Sequence, residues 1–223
     1  MTIAPHIRLD GELAPFTALG VLRFDRLHVV VAAPPFTPEA RPDTTAIRHR
    51  PAAVRSLSRR FGTDPTKTRP SSEALLRRVR HGQPWPALDS LVDVCNACSL
   101  AAQLPFGLYD VERIVWDVIL RLGRPGEEYE GIRKTMVHLT GRPALFDDLG
   151  PFGKPTSDSA RTMVTTETTR ALVVVFAPLE VGGDAITKVL TGTATRVSET
   201  TGGVERARQV VSGVSVSDGE GQA

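Results

Sequence analysis

The stretch "DSLVDVCNACSLAAQLPFGLYDVERI", Asp89 to Ile114, sets two readings against each other. The C-x-x-C spacing of Cys95 and Cys98 points to sulfur chemistry, whereas the apolar pattern points to a helix in a core. Leu91, Val92, Cys95, Cys98, Ser99 and Ala102 recur at i, i+3, i+4 and i+7, the signature of one buried helical face. Pro105 ends that helix, because its ring removes a donor and clashes with the preceding turn. A redox pair sits at an exposed helix N-terminus, where the dipole lowers the thiol pKa, and these cysteines lie inside the helix instead. Two cysteines alone do not close a tetrahedral zinc site. The five histidines (His6, His28, His49, His81, His138) are scattered and supply no second ligand pair. The thiols are read as buried and inert, with no metal bound.

Downstream, "PFGLYDVERI" is read as a turn into "VWDVILRLG", an alternating strand pattern. "GEEYEGI" and "TMVHLTGRPALFDD" follow as short strands with turns, and Thr162 to Ala177 has strong β character. "GGDAITKVLTGTATRVSETTG" reads as a helix of about fifteen residues. Residues 1–202 are taken as a single domain; beyond Gly202 the pattern fades, so 203–223 is expected to be a poorly ordered tail.

Upstream, Thr17 to Pro35 reads as β-structure, with "HVVVA" stopped by Pro34 and Pro35. Residues 37–45 read as a loop. "AAVRSLSRRFG" places Val54, Leu57 and Phe61 at helical spacing, with Gly62 as C-cap. A further helix carrying Leu75, Leu76 and Val79 is expected to be capped by Ser71 or Ser72. A helical middle flanked by strands, without regular βαβ alternation, gives an α+β architecture.

Composition bounds the rest. The chain has 223 residues, 41% hydrophobic and 23% charged, ordinary for a globular protein with a real core. It has no apolar run long enough to span a membrane, and "MTIAPHIRLDGEL" carries no apolar h-region, so a cytoplasmic protein is expected. Net charge is only +2. The block from Arg48 to Arg80 is different: ten basic residues (48, 50, 55, 59, 60, 67, 69, 77, 78, 80) face two acids, Asp64 and Glu73. Such a block either meets a phosphate backbone or forms solvated helix faces. The nucleophile-elbow, phosphate-loop and dinucleotide-binding signatures are absent from the sequence, and no cofactor is implied.

One ordered set of residues remains: Val92-Asp93-Val94, Asn96, Leu100, Leu104-Pro105, Tyr109-Asp110, Leu120-Arg121 and Gly126-Glu127. Together with "SDSARTMVTTETTRALVVVFAP", it resembles the B3/B4 tRNA-binding and editing domain of the phenylalanyl-tRNA synthetase β subunit, over roughly Ala18 to Thr200. That family reads V-D-x-x-N-x-x-x-L, a turn with Pro, an aromatic–Asp pair, a strand ending in Arg, and G-E. The resemblance implies a layered, β-sandwich-like core with outer helices. It also implies a tRNA partner that is aminoacylated, and hydrolysis of misaminoacylated tRNA in trans rather than ligation. A non-catalytic RNA-binding module and a binder of amino-acid-like small molecules are the alternatives.

The family's acidic pocket residue, which recognises a phenolic hydroxyl, carries over to Asp158. Thr165 and Thr168 fall where the family lines its pocket with small hydroxyl residues, and Asp93 and Asn96 fall on the facing helix. Each also has a structural reading: Asp93 and Asn96 as helix-start residues, Asp158 as a turn, Arg121 and Glu127 as an ion pair. Arg59, Arg60, Lys67, Arg69, Arg77 and Arg78 are the candidate RNA contacts. The chain departs from the family where "PFGKPTSDS" replaces a glycine-rich turn and where a shorter Asp replaces Glu.

Overall fold

The run "ALVVVFAP", Ala171–Pro178, is buried along its whole length, as a strand must be when both of its faces are covered. The structure, a computed structural model, describes residues 6–31 and 45–213. Its elements are β1 (Ile7–Leu9), β2 (Thr17–Asp25), α1 (Thr45–Arg48), α2 (Arg50–Arg60), α3 (Ser71–Arg80) and α4 (Ser90–Ala102). Then come β3 (Phe106–Asp110), β4 (Val118–Leu122), β5 (Glu128–Glu130), β6 (Met136–His138), β7 (Pro143–Asp147), β8 (Gly150–Lys154) and β9 (Ser157–Asp158). The chain closes with β10 (Ala171–Pro178), α5 (Gly183–Thr201) and β11 (Val204–Ser212).

A four-stranded antiparallel sheet, β11-β2-β10-β3, packs on a five-stranded sheet, β1-β4-β7-β8-β9. Strand alternation sorts the core into layers. Leu172, Val174 and Phe176 of β10 meet Tyr109, Leu120, Leu145 and Phe152 between the two sheets. Val173 and Val175, on the other face, meet Leu91, Val94, Cys95 and Cys98 of α4 and Ile186, Leu190 and Val197 of α5. The order is therefore sheet, sheet, helices. Gly20 sets the spacing of the helical layer, because a Cβ there would lie 2.7 Å from Ile186. The α+β, layered β-sandwich-like expectation holds.

Local chemistry explains α4. Asp89 caps it, accepting from the Leu91 and Val92 N–H groups at 3.0 and 2.8 Å. Its C-terminus ends at Gln103 in the left-handed region (φ 53°). Both cysteines are free and buried on the predicted face.

Several local expectations change. "PFGLYD" is strand β3 and not a turn. "HVVVA" is not a strand over its described residues: it runs extended beside α4, where the Ser90 N–H donates to the Val30 carbonyl at 2.9 Å. The strand expected over 162–177 begins only at Ala171. Pro70, not a serine side chain, precedes α3, and Ser72 is buried. The helix near the end, α5, has 19 residues. The tail fails as an expectation over 204–212, which pair antiparallel with β2 as β11; its last ten residues, and 37–44 of the expected loop, lie outside the described residues.

Candidate functional site

Three separate places hold the residues singled out from the sequence. The first is the seam between α2 and α3. Arg55 grips Glu73 through two hydrogen bonds of 2.7 and 2.5 Å, and Arg69 stands 3.8 Å from the same carboxylate. These contacts hold Glu73 below the usual carboxylate range. One turn further along each helix come Arg59 and Arg77, which are exposed, as are Lys67 and Arg80. Arg60 lies over the Phe16 ring at 3.9 Å, and Arg78 donates to the Pro84 carbonyl at 2.5 Å. The basic block is thus a face whose inner members brace the two helices and whose outer members reach solvent.

The second place is Asp158. It sits at the end of the five-stranded sheet, paired across to Gly153, with its Oδ1 buried. Tyr109 comes up from β3 to face it, and neither its hydroxyl nor Asp158 Oδ1 makes a hydrogen bond of good geometry. The Tyr129 hydroxyl, nearby, donates to the Ser157 carbonyl at 2.6 Å. Burial pushes the Asp158 carboxyl up to about 7 and raises both tyrosines, which its charge raises further. The site depends on two glycines: a Cβ on Gly107 or Gly153 would lie 2.1 or 2.2 Å from the Tyr109 hydroxyl. The Gly in "PFGLYD" therefore serves a close approach, not a turn.

The third place is the loop before β10. The Thr168 hydroxyl, buried, donates to Asp110 at 2.8 Å and accepts from the Thr165 N–H at 2.9 Å. The Thr165 hydroxyl accepts from the Glu167 N–H at 3.2 Å. These threonines fasten the loop to the end of β3. Asp93 turns back over its own helix start, accepting from the Leu88 N–H at 3.2 Å, and Asn96 lies half-buried a turn later. None of the five pocket candidates lines either of the two cavities described below. Thr165 and Thr168 cluster with Asp110, while Asp158 clusters with Tyr109 and Tyr129.

Two ion pairs stiffen the sheets. Arg121 binds Glu127 bidentately, both distances 2.7 Å, and lies 3.4 Å over the Phe146 ring. That pair holds the Glu127 carboxyl down to about 2. Arg161 binds Asp147 at 2.9 Å through both nitrogens, and Asp147 also accepts from the Val115 and Leu149 N–H groups. The second pair carries no sequence signal beyond its charges.

Sequence reasoning also missed two cavities. One of about 760 Å³ opens between α4 and the start of α5, with Arg50, Lys188 and Arg196 on its walls and Cys98 at its floor. A smaller one, about 50 Å³, lies under α2 and contains Lys154, Arg142 and Thr156. Burial raises both thiol pKa values, so neither cysteine is a ready nucleophile. Among the described residues no group of three or more metal-ligand side chains occurs, and no helix is long and apolar enough to cross a membrane.

Comparison with known proteins gives one family: the B3/4 domain matches residues 53–183. A solved structure, an N-terminal fragment of the phenylalanyl-tRNA synthetase beta-subunit from Pyrococcus horikoshii, aligns with a TM-score of 0.45 at 14% identity. The alignment covers 95% of this chain and 51% of that one, so the chain spans about half the length of that fragment. No curated protein matches.

Proposed function

The chain belongs to the B3/4 domain family, and from that premise we propose that it binds tRNA and hydrolyses misaminoacylated tRNA in trans. At the level of the family, membership supports a tRNA-related function. The observation that carries the binding half is the α2–α3 face. Arg59, Lys67, Arg77 and Arg80 project from it into solvent, while Glu73 is engaged by Arg55 and Arg69. Each phosphate it meets releases condensed counterions, so binding weakens steeply with salt. The hydrolytic half needs little from the protein: a positioned water, a polarised carbonyl and a neighbouring hydroxyl of the tRNA itself.

A second reading, a non-catalytic RNA-binding module, is favoured by one observation. Tyr109 occupies the space beside Asp158, so that carboxylate meets a phenol of its own chain. Incubating the pure protein with a panel of aminoacyl-tRNAs separates the two. Release of an amino acid supports editing, and Asp158→Ala then cuts the rate about ten- to hundredfold with tRNA affinity kept. Salt-dependent binding without release supports the module. Reversing Arg59, Arg60, Arg77 and Arg78 to Glu weakens tRNA in either case and flattens the salt slope by roughly one unit per lost contact. Unchanged affinity and slope would refute the α2–α3 face as the interface.

A further inference from the structure

Two cations on the wall of one cavity, Lys154 and Arg142, face no anion among the described residues. Lys154, the last residue of β8, is only 8% exposed. Its backbone pairs with Ser157 across the sheet, and among the described residues its ammonium makes no side-chain hydrogen bond and no ion pair, keeping only a narrow contact with solvent. The half-buried side chain of Arg142 shares its cavity and is equally without an acceptor among those residues. The Thr156 hydroxyl, in the same wall, is buried with no partner. The remaining wall is largely apolar: Val54, Leu57 and Phe61 of α2 form the roof, and Leu120 and Phe176 form the floor.

A lysine is almost never buried unless paired, and two like charges in one low-dielectric hollow raise each other's cost. The strain is visible in Lys154 itself, whose ammonium is brought down to about 8 by burial and by the Arg142 charge. Elsewhere the same fold pairs its inward cations, Arg161 with Asp147 and Arg121 with Glu127. An anion between Lys154 and Arg142 would receive charge-assisted hydrogen bonds from both and a hydroxyl from Thr156. A hollow of about 50 Å³ is several times what one water requires and matches a single small anionic head.

We propose that Lys154, Arg142 and Thr156 form a subsite for the carboxylate or phosphate head of a small organic anion, roofed by α2. It lies apart from Asp158 and is independent of tRNA hydrolysis. The α2 helix connects it to the basic face: Val54 and Leu57 roof the cavity while Arg59 reaches solvent from the next turn.

The test is binding of defined probes to the full chain. Inorganic phosphate, acetate, phenyl phosphate and phenylacetate are titrated by calorimetry and thermal melting at pH 7, against chloride at matched ionic strength. At least one probe is expected to bind saturably and raise the melting midpoint, and which head does so identifies the ligand chemistry. Lys154→Met should weaken that binding about tenfold or more, and should itself raise the midpoint without ligand, since it removes a largely desolvated charge that has no acid partner. Arg142→Gln, at a half-buried position, is a second arm that does not depend on how the cavity repacks around Met. Binding should also fade above pH 8, as Lys154 loses its proton. No probe exceeding chloride, or equal binding by both variants, overturns the proposal.

Discussion

Arg161 and Lys154 both reach inward from the end of the five-stranded sheet, and they finish in opposite electrostatic circumstances. Arg161 meets Asp147 through two hydrogen bonds of 2.9 Å and spans further to the Arg113 carbonyl. Lys154 meets Arg142 and an unpartnered hydroxyl. Both burials cost solvation, and only the first is offset within the chain. A cation with a bidentate carboxylate is explained by the fold it ties together. A cation without one is explained by something the fold is built to receive.

The sharpest way to break this contrast is at Asp147, whose side chain is fully buried. Asp147→Ala leaves Arg161 charged and unpaired, and releases the Val115 and Leu149 N–H groups as well. The expected loss is about 3–5 kcal/mol in denaturant unfolding, the usual result of breaking a buried pair from one side. Arg161 is itself 29% exposed and keeps the Arg113 and Gly150 carbonyls; a loss below about 1 kcal/mol would show that these and solvent replace Asp147, and the contrast with Lys154 would collapse.

Asp158 comes next, and pH reveals it. Its carboxyl is raised to about 7 in the folded protein, against roughly 3.9 in an unfolded chain. Between those values the native state holds a proton that the unfolded state has released. The stability this carboxyl contributes is therefore complete below about pH 4 and is lost as pH rises to 7. Asp158→Asn should remove that slope and exceed the wild type at pH 8 by roughly 2–3 kcal/mol. Parallel melting profiles for the two proteins across pH 4–8 would refute a buried, protonated Asp158.

How much of this was legible in the sequence depends on what holds each piece in place. The helix α4 and the strand β10 were legible, because each carries its burial as a periodic or continuous apolar pattern. The strand β8, "GPFGK", was not. Its Gly, Pro and Lys read as loop, and only pairing with β7 and the approach of Tyr109 to Gly153 make it a strand. The strand β11 hid behind its charges: Arg206 and Arg208 pair with Asp25 and Glu205 on an edge strand, where charge is tolerated and guards the edge. Among site residues, the basic face was legible as a charge block, whereas Lys154 reads in sequence as one more surface lysine. The Tyr109–Asp158 contact joins distant segments and leaves no local trace.

A gentler test of the paired class is Glu127. Held down to about 2, it contributes stability that is present above pH 4.5 and lost as pH falls toward 2. The pair is about a quarter exposed on the glutamate side, so solvent screening reduces its worth. Glu127→Gln should cost about 1–2 kcal/mol at pH 7 and flatten the acid limb, while Arg121 keeps its place over Phe146. An unchanged acid limb would place the acid sensitivity elsewhere.

The smallest effect on stability, and the most telling for function, is expected at Glu73. Arg55 is 38% exposed and Glu73 17%, so this pair is largely a surface one. Glu73→Gln should cost less than about 1 kcal/mol. Its consequence lies in charge, not in folding. Glu73 is the acid that Arg55 and Arg69 share, and it faces Arg77 one turn along. Removing its charge leaves those cations without a competing carboxylate, on the face assigned to phosphate. If tRNA docks there, Glu73→Gln should bind more tightly and show a steeper dependence of affinity on salt, since more cations are available to displace counterions. The buried Lys154–Arg142 site, shielded by α2, should respond to its small anions as before. Weaker tRNA binding by a well-folded Glu73→Gln would mean that Glu73 orders Arg55 and Arg69 for the backbone instead of competing with it. An unchanged affinity and slope would remove the α2–α3 seam from the interface altogether.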